Sequence, residues 1–493
     1  MLTLDLGTTA CKATLFTTTG EVAAQAAAEY PTLHPQPGWA EQAPEAWWDA
    51  VARSGRQLPP DLRRGVLAVG LSSHRGGVVP MDGAGRPLGP CIIWMDRRSV
   101  AETDALVGAF GRERLHLVTG LVPDTEFTAS KLLWLRAHAP DLFRAARLYL
   151  QPRDYLYFRL TGAPATDYTL ASRTMLFDVG RRDWWEEGCA FVGVTPAVFP
   201  PVFPSTAAPH RVGREAADVL GIPAGVPVSL GAGDRPCEVL GSGAGDGWVM
   251  VSTGTTTNVS AAAPGRPAGV DPRVMCSLHA VEGMMVLEQG MSASGAILRW
   301  VRDRLLAGRQ DYRQIDALAA AVPAGANRLL FLPFMMGARA TRWNPDARGV
   351  WFGLSETHGT GALARSVMEG VAFELRAALD LLEGMRLPVA GVRAVGGGAR
   401  SALWNQIYAD VLGREVGIPR HTDAASLGAM LLALAAMDRS ADPVSTARAV
   451  NPLVTTFRPE AGAAGRYRDL YAKYNRLYEA LRPVFSSLAS PEV

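Results

Sequence analysis

The chain has 493 residues, 48% hydrophobic and 19% charged, a balance that fits a packed protein of two or three domains and excludes a disordered one. The net charge of +2 excludes bulk electrostatic attraction to nucleic acid or to an anionic membrane, and the basic residues are almost all arginine, with lysine only at Lys12, Lys131 and Lys473. The five cysteines, Cys11, Cys91, Cys189, Cys237 and Cys276, are odd in number, far apart and free of any C-x-x-C spacing, which argues against a disulfide framework and a zinc site.

The N-terminus enters a strand-like run containing Asp5 directly, without a basic segment, apolar stretch and cleavage site before it. No signal peptide is read, and a cytoplasmic protein is expected. Leu2–Leu6, Ala13–Thr17 and Val22–Ala28 read as successive strands with a turn at Thr19–Gly20, a hairpin opening unlike the strand–turn–helix of a dinucleotide fold. Pro44–Arg56 reads as a helix with Trp47, Trp48 and Val51 on one side. Val66–Leu71 is a buried strand, and Val78–Met81, "DGAGRP" and Cys91–Trp94 make a hairpin. Lys131–His138 and Asp154–Leu160 are helical, and Pro196–Pro209 is loop. Pro227–Trp248 then reads strand, glycine turn, helix and second glycine cluster, so a boundary is expected near Ser242–Gly247, with domains over residues 1–243 and 244–493.

Beyond it come strands at Trp248–Ser252, Asn258–Ala262, Val274–His279 and Gly283–Gln289, and helices at Ser294–Leu306 and Gly361–Glu383. Val392–Val395 is a strand running into a glycine turn and helix at Gly396–Gly413. Ser426–Met437 is an apolar helix whose Ala429–Met437 run is about half a membrane span, so no membrane partner is expected. Arg466–Leu481 reads as a surface helix with tyrosines at 467, 471, 474 and 478. It is left open between a homodimer interface and packing on the second domain.

One pattern repeats. Leu4-Asp5-Leu6-Gly7-Thr8-Thr9 is echoed by Val251-Ser252-Thr253-Gly254-Thr255-Thr256, and each copy opens a meander of short strands. Two halves that each offer a Gly-Thr-Thr turn to one cleft would clamp a polyphosphate, since glycine admits the backbone and successive N–H and hydroxyl groups donate to phosphate oxygens. Asp5 becomes Ser252 in the echo, so only the first turn supplies a carboxylate for a hydrated Mg²⁺.

Taken in order, these segments resemble the FGGY family of carbohydrate kinases, in the actin-like ATPase superfamily, over nearly the whole chain. "LDLGTTACKATLF" is similar to the first phosphate loop, and "GWAEQAPEAWWDA", "GRPLGPCIIWMDRRS" and "FTASKLLWLR" to substrate-domain segments. "GAGDRPCEVLGSGA" is similar to the catalytic-aspartate loop and "STGTTTNVS" to the second phosphate loop. "GVWFGLSETHGTGALARSVMEG" is similar to the second signature and "VGGGARSALWNQIYADVLG" to the adenosine loop. The resemblance implies an α/β fold of two ribonuclease-H-like domains flanking a catalytic cleft, and transfer of the γ-phosphoryl of ATP to a sugar or polyol hydroxyl with Mg²⁺.

It also implies roles. Asp234 becomes the general base, the alternative being a cap on the following helix. Asp5 becomes the metal partner through water, or a strand-end aspartate bonded to local N–H groups. Thr8, Thr9 and Lys12 would contact the transferring phosphate, Lys12 being otherwise a solvated charge. Gly254, Thr255 and Thr256 would hold the nucleotide phosphates, Gly295 is a further nucleotide contact, and Gly396, Gly397 and Gly398 open toward adenosine or its α-phosphate.

The sugar pocket departs from the family pattern. In "SSHRGGVVPMD" Arg75 matches the arginine of glycerol kinases, while Gly76 stands where glycerol kinases carry glutamate and xylulokinases histidine. Trp94 and Asp96 match pocket-lining positions, with Arg97 and Arg98 an exposed charge pair, and Glu126 is placed to accept a substrate hydroxyl. Arg75 and Arg235 would recognise a carboxylate or several hydroxyls, or else form internal ion pairs with Glu126 or Glu238. The expected acceptor is a small sugar or polyol, a ketopentose such as D-xylulose by default, with glycerol, ribulose or gluconate as alternatives. An actin- or Hsp70-like ATPase acting on proteins and a sugar-binding regulator without chemistry are the competing classes.

Overall fold

The computed structural model describes residues 1–306, 308–438 and 442–489. Two seven-stranded mixed sheets form its frame. In the first, Leu2–Leu6 pairs antiparallel with Ala10–Phe16, which pairs antiparallel with Val22–Glu29; on its other side Leu2–Leu6 runs parallel to Val69–Ser73. In the second, Trp248–Thr253 pairs antiparallel with Thr257–Pro264, which pairs antiparallel with Met284–Met291; its other side runs parallel to Gly391–Val395. The sequence echo is therefore a structural repeat, and the fold is the expected α/β pair of ribonuclease-H-like halves. Leu2, Leu4 and Leu6 are all buried, as are Val249, Met250 and Val251, because helices cover the sheets.

The halves are locked by two helices, Asp234–Ser242 and Ala424–Met437. They approach through glycine: a Cβ placed on Gly241 would lie 1.9 Å from the Ala424 carbonyl oxygen, and one on Gly428 would lie 1.9 Å from that of Cys237. Ala424–Met437 also lies on the first sheet, where a Cβ on Gly70 would come within 2.3 Å of the Ala429 carbonyl oxygen. Contact on several sides explains why this helix is apolar nearly all round. Among the described residues no helix is long and apolar enough to cross a membrane.

One local expectation fails. Val79–Met81 does not form a hairpin with Cys91–Ile92; it pairs with Leu148–Leu150, and Cys91–Ile92 pairs with Glu41–Gln42. Only an isolated bridge joins Val78 to Ile92. The apolar partners at 148–150 lie too far along the chain for a local turn signal to reveal them. The C-terminal helix, Ala461–Ala489, left open between an interface and packing on the second half, packs its tyrosine face on that half. Tyr467, Tyr474 and Tyr478 are buried. Tyr467 donates to Glu369 (2.6 Å), Tyr471 to Asp380 (2.7 Å) and Tyr474 to Glu374 (3.0 Å), all on helix Thr360–Gly384. The rings supply apolar area and the hydroxyls satisfy carboxylates that would otherwise be buried unpaired.

The glycine contact between the locking helices sets a sign. At an unconstrained helical position Gly→Ala stabilises by roughly 0.5–1 kcal/mol. Gly428→Ala is expected to destabilise instead, by about 1–3 kcal/mol, because the methyl meets backbone. Urea unfolding measures it, and a stabilised variant contradicts the close approach.

Candidate active site

Two parallel strand ends build the centre. Ala232–Gly233 pairs with Ser72–Ser73 in parallel, with Gly233 opposite Ser73. The chains leave this edge side by side, which brings Arg75 next to Asp234. Asp234 is the first residue of helix Asp234–Ser242. Its Oδ1 accepts from the Arg235 N–H (2.8 Å) and from Arg75 Nε (3.1 Å). Its Oδ2 has no hydrogen-bond partner among the described residues, and the side chain is 35% exposed to a pocket of about 700 Å³. One oxygen thus serves the helix start and the guanidinium, while the other faces the space where a substrate fits.

Arg75 is spent on carboxylates. Its Nη1 and Nη2 donate to Oε1 and Oε2 of Glu288 at 2.8 and 2.7 Å. Glu288 stands on the second half's strand Met284–Met291, 2% exposed, and also accepts from Ser277. Burial alone would raise its carboxyl; Arg75 and Arg173 outweigh that and hold it far below the ordinary range. A second bridge crosses the pocket. Glu126 accepts from Arg173 through one oxygen and from Arg339 (2.9 Å) through the other, so burial is again outweighed and its pKa falls to about 2.

Of the two readings left open for Arg75 and Arg235, the structure shows internal ion pairs, with Arg235 on the expected Glu238 and Arg75 on Glu288 instead of Glu126. Arg235 pairs with Glu238, Arg75 with Glu288 and Asp234, and both Glu126 oxygens are already occupied. Sequence reasoning missed Glu288, Arg173 and Arg339. For Glu288 a signal existed: one acid in the apolar run "MMVLEQGM" implies a buried, paired carboxylate. For Arg173 and Arg339 we find no comparable signal.

Gly76 lines the pocket, but its missing side chain leaves no room. Its φ is +78°, and a Cβ there would lie 2.3 Å from the Glu126 carbonyl oxygen. Its N–H donates to Gln151, and its carbonyl accepts from Lys131, which also holds the carbonyls of Thr125 and Glu126. Burial pulls the Lys131 ammonium down to about 8. Trp94 lines the pocket and donates from Nε1 to Thr8 Oγ1 (3.1 Å), tying the sugar side to the first phosphate turn.

Asp96 does not line the pocket. It is fully buried, accepting from the Ala40 N–H and from Arg98. Nor is Arg98 exposed: it pairs with Asp96 and Glu41 and stacks 3.6 Å from the Trp39 ring centre. Aromatic packing and two acids hold this segment inward. Arg97 is half exposed and pairs with Asp124.

In the first phosphate turn Thr9 is exposed, and Lys12 donates to Asp423 (2.7 Å) of the second half. Burial lowers the Lys12 ammonium, but Asp423 and Asp5 more than offset this and leave it raised. Asp5 Oδ1 is buried with no hydrogen-bond partner among the described residues. Burial first, then Asp423, push the Asp5 carboxyl up to about 6, against the opposing pull of Lys12. Such a group fits a cation that is brought in with phosphate. Among the described residues no set of three or more acidic, histidine or cysteine ligands is gathered, so water and substrate would supply the remaining ligands.

In the second turn the start of helix Gly295–Trp300 grips the backbone. Gly295 donates to the Gly254 carbonyl (3.1 Å) and Ala296 to that of Thr255 (3.0 Å); a Cβ on Gly295 would lie 2.2 Å from the Gly254 oxygen. Gly254, Thr255, Gly295, Gly397 and Gly398 line a second cleft of about 1400 Å³ with Tyr312, Asp316 and Trp404. Gly396 turns the chain toward it at φ +77°. Thr256 lies elsewhere, on the wall of the Asp234 pocket. The turn is thus a partition, with Thr255 facing one cavity and Thr256 the other. Thr9 and Lys12 line neither cavity, and Thr8 reaches the smaller one through Trp94.

Comparison with known proteins agrees with this geometry. The model of the FGGY carbohydrate kinase N-terminal domain matches residues 1–241, and that of the C-terminal domain matches residues 247–437. The chain is 32% identical over 486 residues to a xylulose kinase of Escherichia coli, covering 98% of this chain and 99% of the relative. It is 30% identical to a gluconokinase of Bacillus licheniformis (99% and 98% covered) and 33% identical to a glycerol kinase of Gloeobacter violaceus (88% and 87% covered). The crystal structure of a "xyloylose kinase" from Brucella ovis superposes with a TM-score of 0.91 at 30% identity, covering 98% of this chain and 99% of that one. Sequence, fold and paired cavities lead to one conclusion: the chain belongs to the FGGY family of carbohydrate kinases.

Proposed function

We propose that the protein transfers the γ-phosphoryl group of ATP to a hydroxyl of a ketopentose, D-xylulose being the leading acceptor. The observation that carries this reading is the shared partition: the pocket holding the open Oδ2 of Asp234 and the large glycine-lined cleft meet at Gly254–Thr256. Relatives named xylulose kinase support the choice of sugar. Residues 1–243 bring the base and most of the sugar contacts, and residues 244–493 bring the nucleotide cleft.

In this scheme the sugar hydroxyl gives its proton to Asp234 Oδ2 as its oxygen bonds to the γ-phosphorus. The bond from that phosphorus to the β,γ-bridging oxygen breaks, and ADP leaves. The Thr255 N–H and hydroxyl stabilise charge on the donor, while the Gly254 N–H closes the turn on the Thr256 carbonyl at 2.8 Å. Asp5 would hold Mg²⁺, which when bound neutralises charge on the phosphates. The competing protein-directed ATPase class does not account for a buried polar pocket around Asp234. A second acceptor reading, a sugar acid, is supported by the relative named gluconokinase, although the pocket's arginines, Arg75, Arg173, Arg235 and Arg339, are each paired with a carboxylate. ADP release with D-xylulose, D-gluconate and glycerol decides between them, and sugar-independent release sinks the kinase assignment.

Two variants test the roles. Asp234→Asn is expected to lower kcat by about 100-fold or more with nucleotide affinity unchanged; near-normal turnover refutes the base. For Asp5 the folded pKa of about 6 lies above the ordinary 3.8, so its favourable contribution is present below about pH 4 and lost as pH rises through 6. Allowing for its partial exposure, the charged form costs on the order of 2 kcal/mol above that window. Asp5→Asn should therefore raise the Tm of metal-free protein at neutral pH and not at about pH 4. An unchanged or lowered Tm at neutral pH contradicts the shift.

A further inference from the structure

Glu288 lies on the far side of the cleft from Asp234, yet it is linked to it through one residue. Both terminal nitrogens of Arg75 are held by the two Glu288 oxygens at 2.8 and 2.7 Å. A guanidinium is planar, so fixing that fork fixes the direction of its third donor, Nε–H. That donor goes to Asp234 Oδ1 at 3.1 Å. With the Arg235 N–H on the same oxygen, the carboxylate plane is pinned from two sides and Oδ2 is turned to the pocket. Glu288 is itself pinned by Ser277 Oγ at 3.1 Å and stands beside Arg173 at 4.0 Å.

We propose that Glu288 is a positioning residue for the phosphoryl-transfer step: acting through Arg75, it sets the orientation of Asp234, and it does so only when the two halves of the molecule are together. This rests on the reading of Asp234 as the base. Arg75 and Asp234 belong to the first half and Glu288 to the second, so the arrangement joins closure of the cleft to alignment of the base. Water entering an open cleft therefore meets an Asp234 that lacks this alignment.

A merely structural ion pair at this place would affect folding and leave turnover by the folded fraction unchanged. The test uses the full-length enzyme, saturating ATP, and whichever of D-xylulose, D-gluconate and glycerol the unaltered protein phosphorylates fastest. Glu288→Gln keeps the shape and removes the charge. It is expected to lower kcat about 100-fold while the sugar KM moves less than about threefold, the pattern of a misaligned reacting group. Glu288→Asp, which keeps the charge, is expected to recover part of the loss. Arg75→Met combined with Glu288→Gln should be no slower than Arg75→Met alone, because Glu288 acts through Arg75.

Unchanged kcat in folded Glu288→Gln overturns the proposal, as does a rise in KM alone or a double variant in which the two losses multiply. Where the single variant does not fold, the double variant removes both buried charges and carries the same comparison. A fully active Glu288→Gln beside an inactive Asp234→Asn refutes this inference and leaves the base assignment standing. An active Asp234→Asn removes the assignment itself.

Discussion

A guanidinium taken out of water must find carboxylates, or its burial costs several kcal/mol. Arg75 is 8% exposed, and that constraint organises what surrounds it. Its carboxylates come from both halves, Asp234 from its own and Glu288 from the other, so charge balance at this one side chain requires the halves to meet. Glu126 repeats the logic with Arg173 and Arg339. Two buried ion pairs thus cross the pocket, and each is strong only when the cleft excludes water. The chemistry needs the same exclusion, because water competes with sugar for the phosphoryl group.

Much of this was legible in the sequence because it rests on local patterns. The paired Gly-Thr-Thr turns, the strand order around them and the glycine-to-helix passage into Asp234 all lie within a few residues. Their physics is that of short strands and tight turns. What was not legible lies in long-range partnership. Arg75 was singled out, but its partner stands 213 positions later, and nothing near Arg75 announces it. The C-terminal tyrosines stay open between an interface and internal packing because their carboxylates lie 91 to 100 positions upstream. Asp96 is expected in the pocket because, like Trp94, it matches a pocket-lining position of the family. The structure separates neighbours that a linear reading joins, since the chain turns inward after Met95.

Gly76 shows how an absence can mislead. A glycine where relatives place a long side chain suggests added space for substrate. The Glu126 carbonyl fills that space, and Lys131 fixes it there through three carbonyls. Arg173 and Arg339 also line the pocket, and both are paired with Glu126. Substrate preference therefore does not follow from this one position.

The helix Ala424–Met437 has a consequence for how the molecule is made. It covers the sheet that begins at Leu2, and Gly70 is shaped to receive it. During synthesis the first sheet emerges early, but this cover emerges only after some 430 residues have been added. Until then an apolar sheet face stands open to solvent, and neighbouring nascent chains can reach it. The protein is two halves in architecture and one unit in assembly, with its first strand among the last to be fully enclosed.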